Sequence, residues 1–257
     1  MTTVASVVVG SEGFRVPEAQ SERLIFAEQI ANHCRREGAD VVLLPAGYLF
    51  SQHDEEKALT RDAKALALAC KGVSLVAGVD SGTARKLGQS KVGSGKRLDE
   101  WTKKRSLPFW VFASAPDGTI LRMFRQRSTT AANGAQLDAP SKSEQQERTV
   151  ELAGLNCYLL ACGELFNPHL RASLESKNID LITHLAHKGL GRTFPKTFPR
   201  LATTARAWVI NSQHALNGFC WAAKRGSTQA DYVPGALIRA DASAAGEWAQ
   251  ISFWNVA

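Results

Sequence analysis

The chain has 257 residues, of which 44% are hydrophobic and 21% charged, as in a soluble globular protein with a sizeable core. No stretch approaches the roughly 18 uninterrupted apolar residues of a membrane span, and the first ten residues lack the features of a signal peptide. The net charge of +7 comes from widely spread Lys and Arg without a basic stripe carrying interleaved aromatics, so we expect neither nucleic acid nor membrane as partner.

The first third of the chain alternates strands and helices. Apolar runs at 4–10, 40–45 and 73–79 predict buried strands. Apolar residues at helical spacing predict helices over 18–37 and 56–71, and each is followed by a glycine. This β-α-β-α-β order with continuous apolar strands predicts a sheet that is buried on both faces.

The middle of the chain holds a hairpin between two polar stretches. Residues 81–100 are rich in Gly, Ser and Lys, which predicts a flexible loop. The runs 107–115 and 119–125 flank an Asp-Gly pair at 117–118, the pattern of a β-hairpin. Residues 128–148 are polar and low in hydrophobic residues, so we interpret them as disordered or mobile.

The second half repeats the alternation. Its predicted strands are short apolar or aromatic runs, at 155–161, 179–184, 207–212, 219–223, 236–240 and 247–256. Its predicted helices lie near 168–177 and over about 197–207. Because no linker with a break in composition divides the chain, we predict one α/β domain over residues 1–257 with two β-α halves around a common core.

Cysteine usage indicates a reducing compartment. The five cysteines show no paired pattern and no CxxC spacing, so free thiols and a cytoplasmic location are expected. No group of Cys and His has the spacing of zinc ligands, since His184 and His187 are three apart but stand alone. The sequence therefore predicts no metal and no cofactor.

The strand predicted at 155–161 ends directly before Cys162, which a Gly-Glu step follows. Open α/β sheets place their ligand sites at the carboxyl ends of strands, so this thiol is a candidate site residue. The alternative is that Cys162 is a small buried core residue, as many free cysteines are.

Four segments, in chain order, resemble the nitrilase superfamily of carbon–nitrogen hydrolases. The Cys-Gly-Glu step at 162–164 is similar to the Cys-Xxx-Glu step that holds the family nucleophile, and 39–45 is similar to the strand before the family glutamate. Residues 117–125 are similar to the hairpin that leads to the family lysine, and 206–212 resembles a later passage from helix to strand. The resemblance covers nearly the whole chain and implies a four-layer α-β-β-α sandwich that forms a homodimer.

The resemblance also implies a site. In that family a Cys attacks a nitrile or amide carbon, a Glu acts as general base, and a Lys stabilises the developing charge. Cys162 matches the nucleophile, but Ala46 stands where the Glu is expected and Gln126 stands where the Lys is expected. A general base contributes roughly 10²–10⁴ in rate, so these changes predict little ordinary turnover unless other groups replace them. Arg125 or Arg127 would be an alternative source of positive charge.

Other side chains offer replacements for the base. His184 and His187 lie at and just past the strand predicted to neighbour that of Cys162, and we hypothesise that one of them forms a thiolate–imidazolium pair with the thiol. Glu164 either orients such a histidine or a substrate amine, or has a structural role in which it caps the following helix or pairs with an arginine such as Arg171. Tyr48 is either a pocket wall or an ordinary core residue.

Three functions stay open at this point. The first is a hydrolase of non-peptide carbon–nitrogen bonds in small amides or nitriles, which uses Cys162 with altered partners. The second is an inactive homologue that binds a small amide or carboxylate, and the third is a purely structural or interaction role. The environment of the Cys162 sulfur distinguishes them, because only the enzyme needs an acidic thiol.

Overall fold

The computed structural model describes residues 1–10, 20–84, 107–128, 140–175, 177–187, 194–215, 220–233, 235–240 and 247–257. Most of the loop predicted at 81–100 and part of the stretch at 128–148 lie outside these residues.

The described residues form a strand-rich α/β structure. The strands are β1 Thr2–Val9, β2 Val41–Leu43, β3 Leu49–Phe50, β4 Ser74–Asp80, β5 Phe109–Ser114, β6 Ile120–Arg125, β7 Thr149–Leu152, β8 Leu155–Ala161, β9 Leu181–Ala186, β10 Trp208–His214, β11 Trp221–Ala223, β12 Asp231–Tyr232, β13 Ala236–Arg239 and β14 Trp248–Val256. The helices are α1 Gln20–Arg36, α2 Glu56–Ala69, α3 Lys142–Glu147, α4 Pro168–Ala172 and α5 Phe194–Ala205, with a 3-10 helix at Cys162–Phe166.

The strands follow one path, in the order β6-β5-β4-β2-β1-β10-β9-β8-β7. Neighbours from β4 to β8 along this path run parallel, and the outer pairs are antiparallel. β1 joins β10 only through Val8 and Val9, while β14 pairs with the whole length of β1. The two halves face each other, because β4 contacts β9, β5 contacts β8 and β6 contacts β7.

Three apolar cores separate four layers. In the first core, Phe26 and Leu66 of α1 and α2 pack on one half of the sheet. The second core lies between the two halves, and the third packs α4 and α5 on the other half. Successive β1 residues alternate between cores, with Val7 in the first and Val8 in the second, because side chains on a strand alternate faces. The predicted four-layer α-β-β-α sandwich is confirmed.

The structure differs from the sequence prediction between the hairpin and β8. The mobile stretch predicted over 128–148 is wrong in its last part, which forms α3 and leads into β7. Ser141 starts this helix with a capping box, since its side chain accepts the N–H of Glu144 and its own N–H donates to the Glu144 carboxylate. Local capping therefore orders a segment whose polar composition indicated disorder.

The carboxyl ends of three strands meet at one edge between the two halves. Asp80 is the last residue of β4, and Cys162 directly follows β8. His187 directly follows β9, which is parallel to β8 with Ala161 opposite Leu185. This edge is where parallel sheets place ligand sites.

Candidate active site

Cys162 stands at a sharp turn between β8 and the 3-10 helix. Its φ of +37° is in a region that residues other than glycine rarely adopt, and its side chain is partly exposed. The Nε2–H of His184 donates to the Cys162 carbonyl oxygen at 2.8 Å and holds the turn from the neighbouring strand. Strained backbone of this kind concentrates at functional sites.

His187 contacts the thiol on one side and a carboxylate on the other. The imidazole and the backbone N–H of His187 both hydrogen-bond to the Cys162 sulfur. Its Nε2 lies 2.9 and 3.1 Å from the two carboxylate oxygens of Asp80, which leaves Nδ1 as the ring atom for the thiol. Asp80, His187 and Cys162 therefore form a hydrogen-bonded row.

The charges in this row stabilise a thiolate. Burial disfavours the imidazolium of His187, but the Asp80 carboxylate and the Cys162 sulfur together outweigh this and raise the pKa of His187 to about 10. Burial also disfavours a Cys162 thiolate, yet the hydrogen bonds and charge of His187 lower the pKa of the thiol below its ordinary value. Burial raises the pKa of Asp80, and His187 acts in the opposite direction. A charged His187 between an acid and a thiol is the arrangement that activates cysteine nucleophiles.

The pKa and the burial of the other four cysteines indicate inert thiols. Burial raises the pKa of Cys34, Cys157 and Cys220 to about 12 and raises that of Cys70 further. Each of these four side chains is buried, whereas Cys162 is partly exposed. Position and charge thus single out one thiol among five.

The Asp80 carboxylate lies beside the position where the resemblance places a glutamate. The turn that contains Ala46 and Gly47 presses on β4, because a Cβ added at Gly78 would lie 2.5 Å from the Cα of Ala46. A Cβ added at Gly47 would lie 2.4 Å from Oδ2 of Asp80 and 3.0 Å from the His187 ring. The space next to Ala46 therefore holds a carboxylate that comes from another strand.

Sequence reasoning missed Asp80, although a usable signal was present. An acidic residue directly at the end of a buried strand is the same pattern that identified Cys162. The prediction ended the strand at 79 and assigned Asp80 no role in the site.

The Glu164 carboxylate contacts backbone N–H groups and an arginine other than Arg171. Its buried carboxylate accepts hydrogen bonds from the N–H of Ala161 at 3.0 Å and the N–H of Arg127 at 2.7 Å. Arg148 makes a bidentate ion pair with it at 2.6 and 2.8 Å. Glu164 thus ties the ends of β6 and β8 together, and the carboxylate that contacts a histidine is that of Asp80.

The side chains of His184 and Tyr48 are both buried. Burial lowers the pKa of His184 to about 4, so its ring is neutral at pH 7, and it packs edge-on against Phe198. The Tyr48 hydroxyl donates to the carbonyl oxygen of Arg23 at 3.0 Å, and the side chain is fully buried. Tyr48 packs in the first apolar core.

Gln126 lies on the site face of the sheet. Its N–H donates to the carbonyl oxygen of Phe109 at 2.9 Å, and the Phe109 ring packs against His187 with 4.4 Å between centroids. The two arginines beside it have other partners. Arg125 lies over the Trp110 ring at 5.0 Å, and Arg127 pairs with acidic residues of α3.

Neither a metal-binding cluster nor a membrane-crossing helix is found among the described residues. Within the described ranges, no cluster of three or more His, Cys, Asp and Glu side chains is placed to hold a metal ion. None of the helices that the structure describes combines the length and apolar character needed to cross a bilayer.

Known proteins match this chain in structure only. No family model and no curated protein matches the sequence. A cysteine-to-alanine variant of a nitrilase-superfamily amidase from Nesterenkonia AN1 aligns over 98% of this chain and 90% of its own, with a TM-score of 0.61 and 11% identity. A glutamate-to-glutamine variant of the amidase from Nesterenkonia sp. AN1, with acrylamide added at its active-site cysteine, covers 97% and 92% with a TM-score of 0.60 and 11% identity.

A crystal structure of an amidase from Nesterenkonia sp. has a TM-score of 0.59 and 12% identity over 98% of this chain and 90% of its own. The chain therefore has the fold of nitrilase-superfamily amidases, a carbon–nitrogen hydrolase fold.

Proposed function

We propose that the protein hydrolyses the carbon–nitrogen bond of small amides, with Cys162 as nucleophile, His187 as general acid and base, and Asp80 as the residue that positions His187. One observation supports this most. The thiol with the lowered pKa contacts an imidazole that is bonded to a buried carboxylate, at the carboxyl edge of a nitrilase-fold sheet.

The proposed reaction has two steps. The Cys162 thiolate attacks the amide carbon and forms a C–S bond, and the C–N bond then breaks as the leaving nitrogen takes a proton from His187. Water next attacks the acyl-thioester while His187 takes a proton from it, and the carboxylic acid leaves as the C–S bond breaks. Asp80 keeps the imidazolium available in the first step and orients the ring in both.

Negative charge develops on the amide oxygen during each attack. The first N–H groups of a helix have no partner within it, and the 3-10 helix begins at the nucleophile itself. We assign the N–H of Gly163 to this oxygen, because backbone donors beside a nucleophile are the usual source of such stabilisation.

The structural relatives suggest suitable probes. The Nesterenkonia amidase carries the acetamide moiety of fluoroacetamide at its active-site cysteine in a variant with glutamate changed to leucine. A glutamate-to-glutamine variant of it carries acrylamide at the same place. Fluoroacetamide and acrylamide are therefore the first reagents to offer to this chain.

The experiment compares Cys162→Ala with the matched control Cys157→Ala, which removes an inert thiol from the same strand. We expect the wild type and the control to release ammonia from acetamide and to carry one fluoroacetamide adduct, and Cys162→Ala to do neither. Ammonia release by Cys162→Ala at the wild-type rate would refute the proposal.

A different outcome would favour the inactive homologue. In that case Cys162 forms the adduct, but no ammonia appears from acetamide or acrylamide. A rise in melting temperature with acetamide or acetate would then identify a binding protein.

A further inference from the structure

Gln126 extends β6 by one residue on the side of the sheet that carries the site. The ladder between β5 and β6 pairs Phe124 with Val111 and Arg125 with Trp110, and the bond from Gln126 N–H to Phe109 continues it. Residues that face each other across two strands project to the same side. The Gln126 side chain is therefore on the side of the Phe109 ring, which packs on His187.

A second contact brings the Gln126 backbone close to the nucleophile. The N–H of the next residue, Arg127, donates to the Glu164 carboxylate at 2.7 Å, and Glu164 is two residues after Cys162. Phe124, two residues before Gln126, lies in the core between the two halves, and residues two apart on an extended strand share a face. Gln126 thus lies between two segments of the site, one that contacts His187 and one that follows Cys162.

The side-chain oxygen of Gln126, Oε1, is a buried acceptor that can take a further hydrogen bond. It is 1% exposed, and its Nε2 donates to the carbonyl oxygen of Ser128 at 2.6 Å. Among the residues that the structure describes, no donor meets its Oε1. A buried acceptor without a donor is costly, so a ligand that supplies an N–H at this point gains binding energy.

We propose that Oε1 of Gln126 accepts the N–H of the scissile amide nitrogen and so selects amides over esters. This inference rests on the proposed function and names the residue that recognises the leaving group. An amide nitrogen with a hydrogen is a donor, whereas the corresponding ester oxygen has no hydrogen to donate. The lysine that the resemblance places here has donors only and could not accept this hydrogen.

The test uses two probes that differ only at the leaving atom, N-methylacetamide and methyl acetate. The ratio of kcat/KM for the amide to that for the ester is measured in wild type and in Gln126→Met, which keeps the length of the side chain and removes the acceptor. We expect the ratio to fall about 10- to 100-fold, through loss on the amide, because a buried N–H loses its partner. Intrinsic reactivity cancels when the ratios of two proteins are compared.

Two further variants make the test specific. Gln126→Glu keeps acceptor oxygens in the same shape and is expected to keep the ratio within about threefold, even if both rates fall together. Ser128→Ala removes another buried oxygen without a partner among the described residues, and the ratio is expected to stay unchanged. Thermal melting of each variant reports whether it is folded, and Gln126→Glu decides the matter if Gln126→Met is not.

The results separate this inference from the proposed function. Equal losses on the ester and the amide in Gln126→Met, or a loss of the ratio in Gln126→Glu, would overturn the role of Gln126 while leaving hydrolysis intact. If wild type hydrolyses neither probe and Cys162 takes no acetyl group from methyl acetate, the proposed function fails and the Gln126 inference with it.

Discussion

Replacing Asp80 with asparagine tests how the site forms a thiolate. Oδ1 of Asp80 lies 2.9 Å from Nε2 of His187, and both side chains are buried. At this distance, with an effective dielectric constant of about 20, two unit charges attract by about 6 kcal/mol before the cost of burial is subtracted. This attraction, together with the hydrogen bond and charge of the Cys162 sulfur, raises the pKa of His187 to about 10 against burial.

Without the carboxylate, only the contact with the Cys162 sulfur opposes the burial of His187, and burial lowers the pKa of an imidazole. The ring is then neutral at pH 7 and no longer offsets the charge of a Cys162 thiolate. An ordinary thiol with a pKa near 8.5 is only about 0.3% ionised at pH 6. We therefore expect Asp80→Asn to slow the alkylation of Cys162 at about pH 6 by roughly 10- to 100-fold, with the two rates converging above about pH 9.

The assay follows alkylation of Cys162 by iodoacetamide across this pH range, with mass spectrometry to locate the adduct. Asp54→Asn is the matched control, because Asp54 is an exposed carboxylate on the segment after β3 that accepts hydrogen bonds from the N–H and the hydroxyl of Thr83, at 2.8 and 2.7 Å. If Cys162 in Asp80→Asn is alkylated at pH 6 as fast as in wild type, the reasoning is refuted. Equal slowing in Asp54→Asn would show a general charge effect instead.

Replacing His187 with glutamine is expected to slow alkylation at pH 6 as much as Asp80→Asn does, whereas His184→Gln keeps an N–H donor and leaves the pH profile of alkylation unchanged. Because burial lowers the pKa of His184 to about 4, the unfolded chain binds its proton first as pH falls, and the free energy of unfolding decreases between about pH 6.5 and 4 by up to roughly 3 kcal/mol. Urea denaturation at several pH values checks this, and His184→Gln is expected to lose that part of the decrease. Gly47→Ala is expected to destabilise by about 2–4 kcal/mol and to slow alkylation, since its φ is +62° and its Cβ would meet the carboxylate beside it. Gly38→Ala, with φ +79° and open space, is expected to cost only about 1 kcal/mol in urea denaturation. Glu164→Gln breaks a buried ion pair and is expected to lower the free energy of unfolding by about 3–5 kcal/mol.

Three of these predictions would be refuted by a specific result. Fast alkylation of His187→Gln at pH 6 would remove imidazole from the activation of the thiol. If the free energy of unfolding of His184→Gln falls between about pH 6.5 and 4 as much as that of wild type, another group causes the decrease. Equal costs for Gly47→Ala and Gly38→Ala would mean that backbone strain, and not contact with the carboxylate, decides the effect.

The sequence predicted the end of β8 at 161 and placed Cys162 at the edge of the sheet, because a continuous apolar run ends there abruptly. It also predicted that a histidine after the neighbouring strand could reach the thiol. It could not decide between His184 and His187, since that depends on the turn at Cys162. With φ at +37°, the Cys162 carbonyl meets His184 and the sulfur meets His187.

Asp80 could not be assigned to the site by counting along the chain from the family pattern. Its carboxylate meets His187 because β4 and β9 contact each other across the two halves of the sheet. Asp80 and His187 lie 107 positions apart in the chain, and no local periodicity encodes such a contact. Gly47 and Gly78 mark how closely the backbone approaches there, since a Cβ would not fit at either position.

The family pattern supplies one carboxylate and one cation beside the thiol, and this chain has the same two charges from other strands. The carboxylate comes from Asp80 at the end of β4 rather than from the position of Ala46, and the cation is His187 after β9 rather than a lysine at Gln126. In the proposed reaction the imidazole changes the chemistry, because its hydrogen bond to Cys162 lets one group form the thiolate, pass a proton to the leaving nitrogen and take a proton from water. We propose that the uncharged side chain of Gln126 then serves as the acceptor for the leaving nitrogen.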